Sequence, residues 1–484
     1  MLRKWILTVL MLVNVVNYQP VFANYNVSDV PGAKTITRTL SFPMRKQNMA
    51  NVHAWESESA WMVVKYLQKI VTFQHDMADY CADHLKDDTM MQRLREEKFD
   101  MAILEYYDPC TLAVVELVGI KKHVVVHTWS ISSLAANFLG LPNSNSFVPE
   151  LGKRFVPGDD FQRTSRKHDG FAFITTHFLL FTERFGEAEL VFLNVDETLG
   201  KHLSSLLAKN KFTDFARPVS LKFVYIGGIG NTDPKPLDTK FEKICNEAKD
   251  GVVYISFGTV APSFQMPPHI KQMFLEVFAQ FPNYTFVWKY EKPEHNIAAN
   301  YSNVFTYEWF PQLDLLAHPK TKLFISHGGL FSITESVSTN TPMIVIPLLG
   351  DHYRNAKLAE YRGFAIHLKK SELTKEILAK AISEMLTNPS YQQKIQEASN
   401  LSKERPISPE KRFIKNIELA TKHNLHEKFD MYGRNLNTVK YYNIDVFAAV
   451  LTAILIALYL FCKLVSLIVR KCHHESGKSK QKTE

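Results

Sequence analysis

Between residues 251 and 386 the chain alternates short β-branched apolar runs with helix-forming segments, and that alternation leaves few folds open. Gly251 leads into 252–257, a near-continuous apolar run of the kind buried on both faces of a parallel sheet. A helix is expected over 267–281. Strands are expected at 284–288, 304–307, 323–326, 343–346 and 365–368, with helices at 332–339, 356–361 and 374–386. This spacing argues a doubly wound parallel sheet. A second βαβ unit lies upstream: an apolar run at 101–104, a helix at 111–117 ended by Gly119, and a β-branched strand at 123–126. The segment 212–238, with Arg217-Pro218, Gly227-Gly228, Pro234 and Pro236, reads as the linker between the two α/β halves. Two such halves facing each other would hold a ligand at the carboxyl ends of their strands.

Both ends of the 484-residue chain carry membrane signals. Arg3 and Lys4 precede the apolar run 5–16, and Val21-Phe22-Ala23 offers small residues at cleavage positions, the layout of a leader peptide over 1–23. Residues 446–469 form an apolar run with one charge, Lys463, where about 20 residues suffice to cross the hydrocarbon layer. The basic tail 470–484 places that end in the cytosol by the positive-inside rule, so the body is lumenal and the chain a single-pass type I protein. The last residues, 480–484, resemble the lysine-based retrieval signals of resident endoplasmic-reticulum membrane proteins. Four N-x-S/T acceptors, at Asn26, Asn283, Asn300 and Asn400, fit a lumenal address. Five cysteines without CxxC pairs or zinc spacing exclude a disulfide framework, leaving at most one bridge, and point to no metal site. The net charge of +8 includes several lysines and arginines of the tail, and the body has no dense basic stripe, so nucleic acid is not an expected partner.

The chemistry concentrates in 323–352. The apolar strand stops at His327-Gly328-Gly329, and a helix begins near Ser332. Glycines let the backbone approach a ligand closely, and a helix N-terminus offers free N–H groups and a positive dipole end suited to phosphate.

The company this turn keeps is specific. From Trp309 the chain gives W-F-P-Q-x-D-L-L-x-H-P, then F-I-S-H-G-G from Phe324, then Glu335, then P-M-I-V-I-P-L-x-G-D-H ending at His352. That order and spacing resembles the donor-site signature of the UDP-glycosyltransferases, the family of the UDP-glucuronosyltransferases. The turn Ser256-Phe257-Gly258-Thr259 is similar to the family's other phosphate-side loop. The resemblance implies two facing Rossmann-like domains (the GT-B fold): an acceptor-binding domain at 24–225 and a UDP-sugar-binding domain at 226–430. It implies that Trp309 stacks on uracil with Gln312 close to the nucleoside. His327 would bond the diphosphate with help from N–H groups at Gly258, Thr259, Gly328, Gly329 and the helix start at Ser332. Glu335 would accept the ribose hydroxyls, and Asp351 and His352 would meet the sugar. No cofactor or metal is implied, because UDP-sugar is a co-substrate and the family is metal-independent.

Two positions depart from the family's pattern. His352 stands where most members have Gln, which bears on sugar choice, and Phe331 stands where a small or amide residue is usual. A third departure concerns the general base, in the family a His after the first strand, oriented by an Asp on a later strand. Here the orienting position falls on Glu105, with Asp108 nearby, while 24–32 has neither strand pattern nor His. The N-terminal half is therefore expected to lack its opening strand, and His53 and His75 are weak substitutes. The expectation is transfer of a hexose or hexuronic acid (glucuronic acid, glucose or galactose) from a UDP-sugar to a small lipophilic acceptor, one surface of which is the apolar stretch 171–185. The alternative is a UDP-sugar-binding, catalytically impaired relative, or a homo- or hetero-oligomeric partner of an active homologue.

Overall fold

The computed structural model describes residues 5–7, 55, 81, 85–105, 109–127, 203–207, 214–215, 219–229, 233–259, 261–423, 425–429 and 431–480. In chain order, β1 is Trp5–Leu7, α1 Asp88–Glu96, β2 Met101–Glu105, α2 Pro109–Val118, β3 His123–His127, β4 Leu203–Leu207 and β5 Phe223–Tyr225. Then come α3 Thr239–Glu247, β6 Gly251–Ser256, α4 Pro268–Phe278, β7 Tyr284–Lys289, β8 Val304–Tyr307, α5 Gln312–Ala317, β9 Thr321–Ser326 and α6 Leu330–Thr339. After β10 Met343–Val345 follow α7 His352–Tyr361, β11 Ala365–His367, α8 Lys375–Thr387, α9 Ser390–Lys403, α10 Pro409–Lys422 and α11 Ile444–Lys480.

Two parallel sheets result. The first runs β1-β2-β3-β4-β5 and the second β11-β10-β9-β6-β7-β8. Alternate residues of β6 feed opposite cores, as period-two side chains must. Val253 and Ile255 join Phe274, Phe278, Trp288 and Leu378 on one face, and Val252 and Tyr254 join Phe324, Val337 and Ala359 on the other. Every residue of β6 is buried, as its apolar run required. Helix α2 stops where Gly119 adopts φ +83°, a left-handed stop that suits glycine.

Three expectations need correction. The opening strand expected to be missing is furnished by Trp5–Leu7, inside the run read as a leader. It pairs in parallel with β2, Trp5 opposite Met101 and Leu7 opposite Ile103. A leader and an edge strand share one property, a short uncharged apolar run that gains from leaving water. Cleavage after Ala23 would therefore leave β2 at the sheet edge. Second, the stretch read wholly as linker contains β5, which pairs with β4. Third, the division at 226–430 gives α10 to the second half, yet its Ile417 and Ala420 pack with Met101, Ile103 and Val124 of the first sheet. Long-range packing decides that membership, and no local pattern reveals it.

Cys81 is disulfide-bonded and buried, while Cys245 and Cys462 are free thiols. Asn283, Asn300 and Asn400 are all exposed, and Asn26 lies outside the described residues. Met431–Glu484 forms a separate compact unit, and within it Ile444–Arg470 is long and apolar enough to span a membrane.

Candidate functional site

The winding of the second sheet creates the site. From β6 the chain moves to β7 and β8 on one side, then returns to β9 on the other side of β6. Ser256 and Ser326, the last residues of β6 and β9, are register partners, so their outgoing turns diverge from adjacent points. Such a switch point opens a crevice at the carboxyl ends of the strands.

Both turns are shaped by serine. Ser326 Oγ accepts from the Gly328 N–H at 3.3 Å, and Ser256 Oγ accepts from the Gly258 N–H at 3.4 Å. The His327 ring fills the space between them. A Cβ on Gly258 would lie 2.8 Å from that ring and one on Gly329 would lie 2.6 Å from its Nε2, so only glycine fits on either side. Gly328 is tight for another reason, since its Cβ would meet Val345 Cγ1 at 2.6 Å. Gly329 caps α6 without any side-chain hydrogen bond, which leaves the first-turn N–H groups uncapped by a side chain. Ser332 is buried in that first turn, whereas Phe331 is 59% exposed. The two residues flanking the turn thus face opposite environments.

His327 meets His352 edge-to-face, ring centroids 4.5 Å apart. Burial pushes His327 down to about 3, and the neighbouring His352 and Lys289 push it the same way. Burial likewise brings His352 down to about 4. Both rings are therefore neutral at physiological pH. The Leu349 N–H donates to His352 Nδ1 at 3.3 Å, which assigns the ring proton to Nε2 and makes that nitrogen a donor. His352 opens α7 with Asp351 as its N-cap. Asn355, one turn on, donates to Asp351 Oδ2 at 2.7 Å and to the Gly328 carbonyl at 3.1 Å. One buried amide thus locks the start of α7 to the glycine turn.

Glu335 lies one turn into α6, and burial raises its carboxyl above the usual range. Gln312 Nε2 donates to Glu335 Oε2, and the Gln312 carbonyl oxygen accepts from the Tyr254 hydroxyl at 3.3 Å. The amide's direction is thereby fixed, and Gln312 acts through Glu335. Trp309 stands 50% exposed, and Lys289 Nζ lies 5.5 Å from the centroid of its ring. Thr259 is half-buried in the turn after β6. The structure thus gathers Gly258, Thr259, His327, Gly328, Gly329, Ser332, Asp351 and His352 about the crevice, with Trp309 following from the turn before α5, Gln312 from α5 and Glu335 from α6.

The sequence reading missed Asn355, Lys289 and Glu291. Asn355 sits at the i,i+4 helix spacing from Asp351, a signal that was available. Glu105 is the last residue of β2, and the neighbouring strand β3 closes on His127, so the carboxyl edge of the first sheet brings a carboxylate residue and a histidine to adjacent strands. Asp108, His53, His75 and the stretch 171–185 lie outside the described residues. Among the described residues no group of three or more His, Cys, Asp or Glu is arranged to hold a metal ion.

This two-sheet architecture is shared with solved glycosyltransferases. The glycotransferase of kitacinnamycin aligns with a TM-score of 0.51 at 17% identity, covering 72% of this chain and 83% of that one. A UDP-glucose: anthocyanidin 3-O-glucosyltransferase, solved in complex with UDP, gives 0.51 at 16% identity, covering 76% and 84%. The fold is thus that of the GT-B glycosyltransferases. The chain belongs to the UDP-glucoronosyl and UDP-glucosyl transferase family, whose pattern matches residues 22–479. It is 32% identical over 394 residues to the putative UDP-glucuronosyltransferase ugt-50 of Caenorhabditis elegans, covering 78% of this chain and 74% of that one. It is 26% identical over 440 residues to human UDP-glucuronosyltransferase 1A8, covering 88% and 80%.

Proposed function

We propose that this chain transfers a hexosyl or hexuronosyl group from a UDP-sugar to a hydroxyl of a small lipophilic acceptor, anchored in the endoplasmic-reticulum membrane with its body in the lumen. The observation that carries the donor half is the glycine-walled seat of His327 at the mouth of α6, where a ring that cannot ionise near pH 7 borders uncapped N–H groups. In this reading the diphosphate lies on those N–H groups and His327, uracil on Trp309, and the ribose hydroxyls on Glu335. Asp351 and the Nε2–H of His352 receive the sugar hydroxyls. Neutral His352 offers a hydroxyl a donor and offers a uronic carboxylate no charge, which supports glucose or galactose over glucuronic acid.

In the transfer, the acceptor oxygen attacks the anomeric carbon and the carbon–oxygen bond to the β-phosphate breaks. The bonding pair leaves with UDP, and the acceptor proton passes to a base. Glu105 and His127, at adjacent strand ends of the first sheet, are the candidates for that base. The disulfide at Cys81 and the exposed acceptors Asn283, Asn300 and Asn400 support the lumenal address.

The test is UDP release by the full chain in membranes, given a panel of UDP-sugars with phenolic and sterol acceptors. Turnover abolished by Glu335→Ala is expected. UDP-sugar binding without turnover on any acceptor would leave only a binding protein and sink the transfer reading.

A further inference from the structure

Three of the described Lys and Arg residues are buried: Lys222, Lys289 and Arg354. Arg354 is held by Asp214, and Lys222 lies just before β5 in the first sheet. Lys289 is placed differently, as the last residue of β7, the strand beside β6. Its Nζ donates to the Gly258 carbonyl at 3.1 Å and to Glu291 Oε1 at 2.7 Å, and it lies over the Trp309 ring. The other carboxylate oxygen of Glu291 accepts from the Phe264 N–H at 3.3 Å, so the acid is itself fixed.

Two groups meet at this ammonium, the turn after β6 and the ring proposed to stack on uracil, and its charge also lowers the proton affinity of His327. A buried ammonium needs its charge answered. A single carboxylate on one side and a carbonyl on another leave the third N–H of a three-donor group to be satisfied. The neutral rings of His327 and His352 supply no positive charge, although departing UDP carries a diphosphate. A cation within the crevice stabilises that charge more than it would in water, because the surroundings screen it less.

We propose that Lys289 is the cation of the donor site, its ammonium donating to the diphosphate of bound UDP-sugar, with Glu291 holding it in place until the donor arrives. This rests on the donor-site reading of the crevice. Lys289 is a binding residue whose charge acts on the leaving group, and Glu291 is a positioning residue that partly offsets it.

The experiment is calorimetric titration of the full chain in detergent with uridine and with UDP. Wild type should bind UDP more tightly than uridine, and Lys289→Met should weaken UDP about 10-fold or more while changing uridine less than about threefold. Lys289→Arg should retain most of the preference for UDP. Glu291→Gln, which unmasks the ammonium, should raise the ratio of UDP to uridine affinity by about threefold or more. Equal weakening of both ligands by Lys289→Met would mean a merely structural ion pair and would overturn the proposal. So would a ratio unchanged or lowered by Glu291→Gln, which is decisive even where Lys289→Met does not fold. Wild type that binds neither ligand would instead refute the donor site itself.

Discussion

Asp214 Oδ1 lies 2.8 Å from Arg354 Nη2, and the pair joins the segment ahead of β5 to the helix that opens with Asp351 and His352. The Asp214 carbonyl also accepts from Arg362 at the far end of that helix, and Phe215 packs against Tyr361 with ring centroids 5.7 Å apart. Helix α7 is thus gripped at both ends by two consecutive residues of the segment ahead of β5. Asp214→Ala leaves the Arg354 charge buried without this partner. Loss of one member of a buried pair costs about 3–5 kcal/mol. Chemical denaturation should show a loss of that order, and UDP-sugar affinity should fall with it because Asp351 and His352 ride on α7.

The walls of the His327 seat give a graded series. Gly329→Ala and Gly258→Ala should each cut UDP affinity about 10-fold or more, equivalent to ~1.4 kcal/mol, since the new methyl displaces the ring. Gly350 has φ +56° but open space around it, so Gly350→Ala adds strain without touching His327. Its thermal midpoint should drop while UDP affinity changes little. Equal binding losses across all three variants would show that the ring's seat is not what matters.

The two depressed histidines fix a sign for pH dependence. Their folded values, about 3 and about 4, lie below the ordinary 6.5, so the unfolded chain takes up protons first on acidification. Their contribution is fully present above about 6.5 and is lost as pH falls toward 4 and then 3. The thermal midpoint should therefore decline between pH 6.5 and 4.5, and His352→Gln should make that decline shallower. Glu335 works in the opposite direction, because its carboxyl is raised and the stability linked to its proton is lost as pH climbs through the folded value.

His352→Gln also probes sugar choice. The substitution replaces an Nε2–H of fixed direction with an amide that both donates and accepts. The ratio of kcat/KM for UDP-glucose to that for UDP-galactose should move by about 10-fold, with UDP affinity itself nearly constant. A ratio that stays fixed would remove His352 from the sugar contact.

The base can be found by kinetics. Glu105→Gln and His127→Ala should separate, the true base losing ~10²–10⁴ in kcat and the other residue far less. UDP affinity should be unchanged in both. Two mild losses would point to a base elsewhere in the N-terminal half.

Much of the second sheet was legible because its strands announce themselves. Residues 252–257 and 323–326 are near-continuous apolar runs with a single serine at or near the end, and the glycine turn between β9 and α6 marks its own boundary. Strand β4 was not legible, since Leu203-Ser204-Ser205-Leu206-Leu207 has two adjacent serines that break both an apolar run and a period-two pattern. Strand β5 hides in a glycine- and proline-rich stretch and spans only Phe223–Tyr225. The residues gathered at the crevice were named by their resemblance to the family's donor-site signature, and Lys289 and Glu291 were not among them. At a strand end, two charges look like solvent-facing residues until the packing around Trp309 and Gly258 is known. The base was hardest, because its identity depends on which strand ends become neighbours, and β1 enters the sheet from residues 5–7.

Helix α10 imposes an order on synthesis. Met101, Ile103 and Val124 emerge from the ribosome about 300 residues before Ile417 and Ala420, which cover them. During that interval the first sheet exposes one face, a surface that a chaperone must shield or that other chains can find. Only a short stretch separates α10 from the apolar helix proposed as the anchor, so the first sheet is covered at almost the moment that helix is made. A premature stop anywhere before residue 409 would therefore release a chain that lacks both the proposed anchor and the cover of its first sheet, and quality control would see the two defects together.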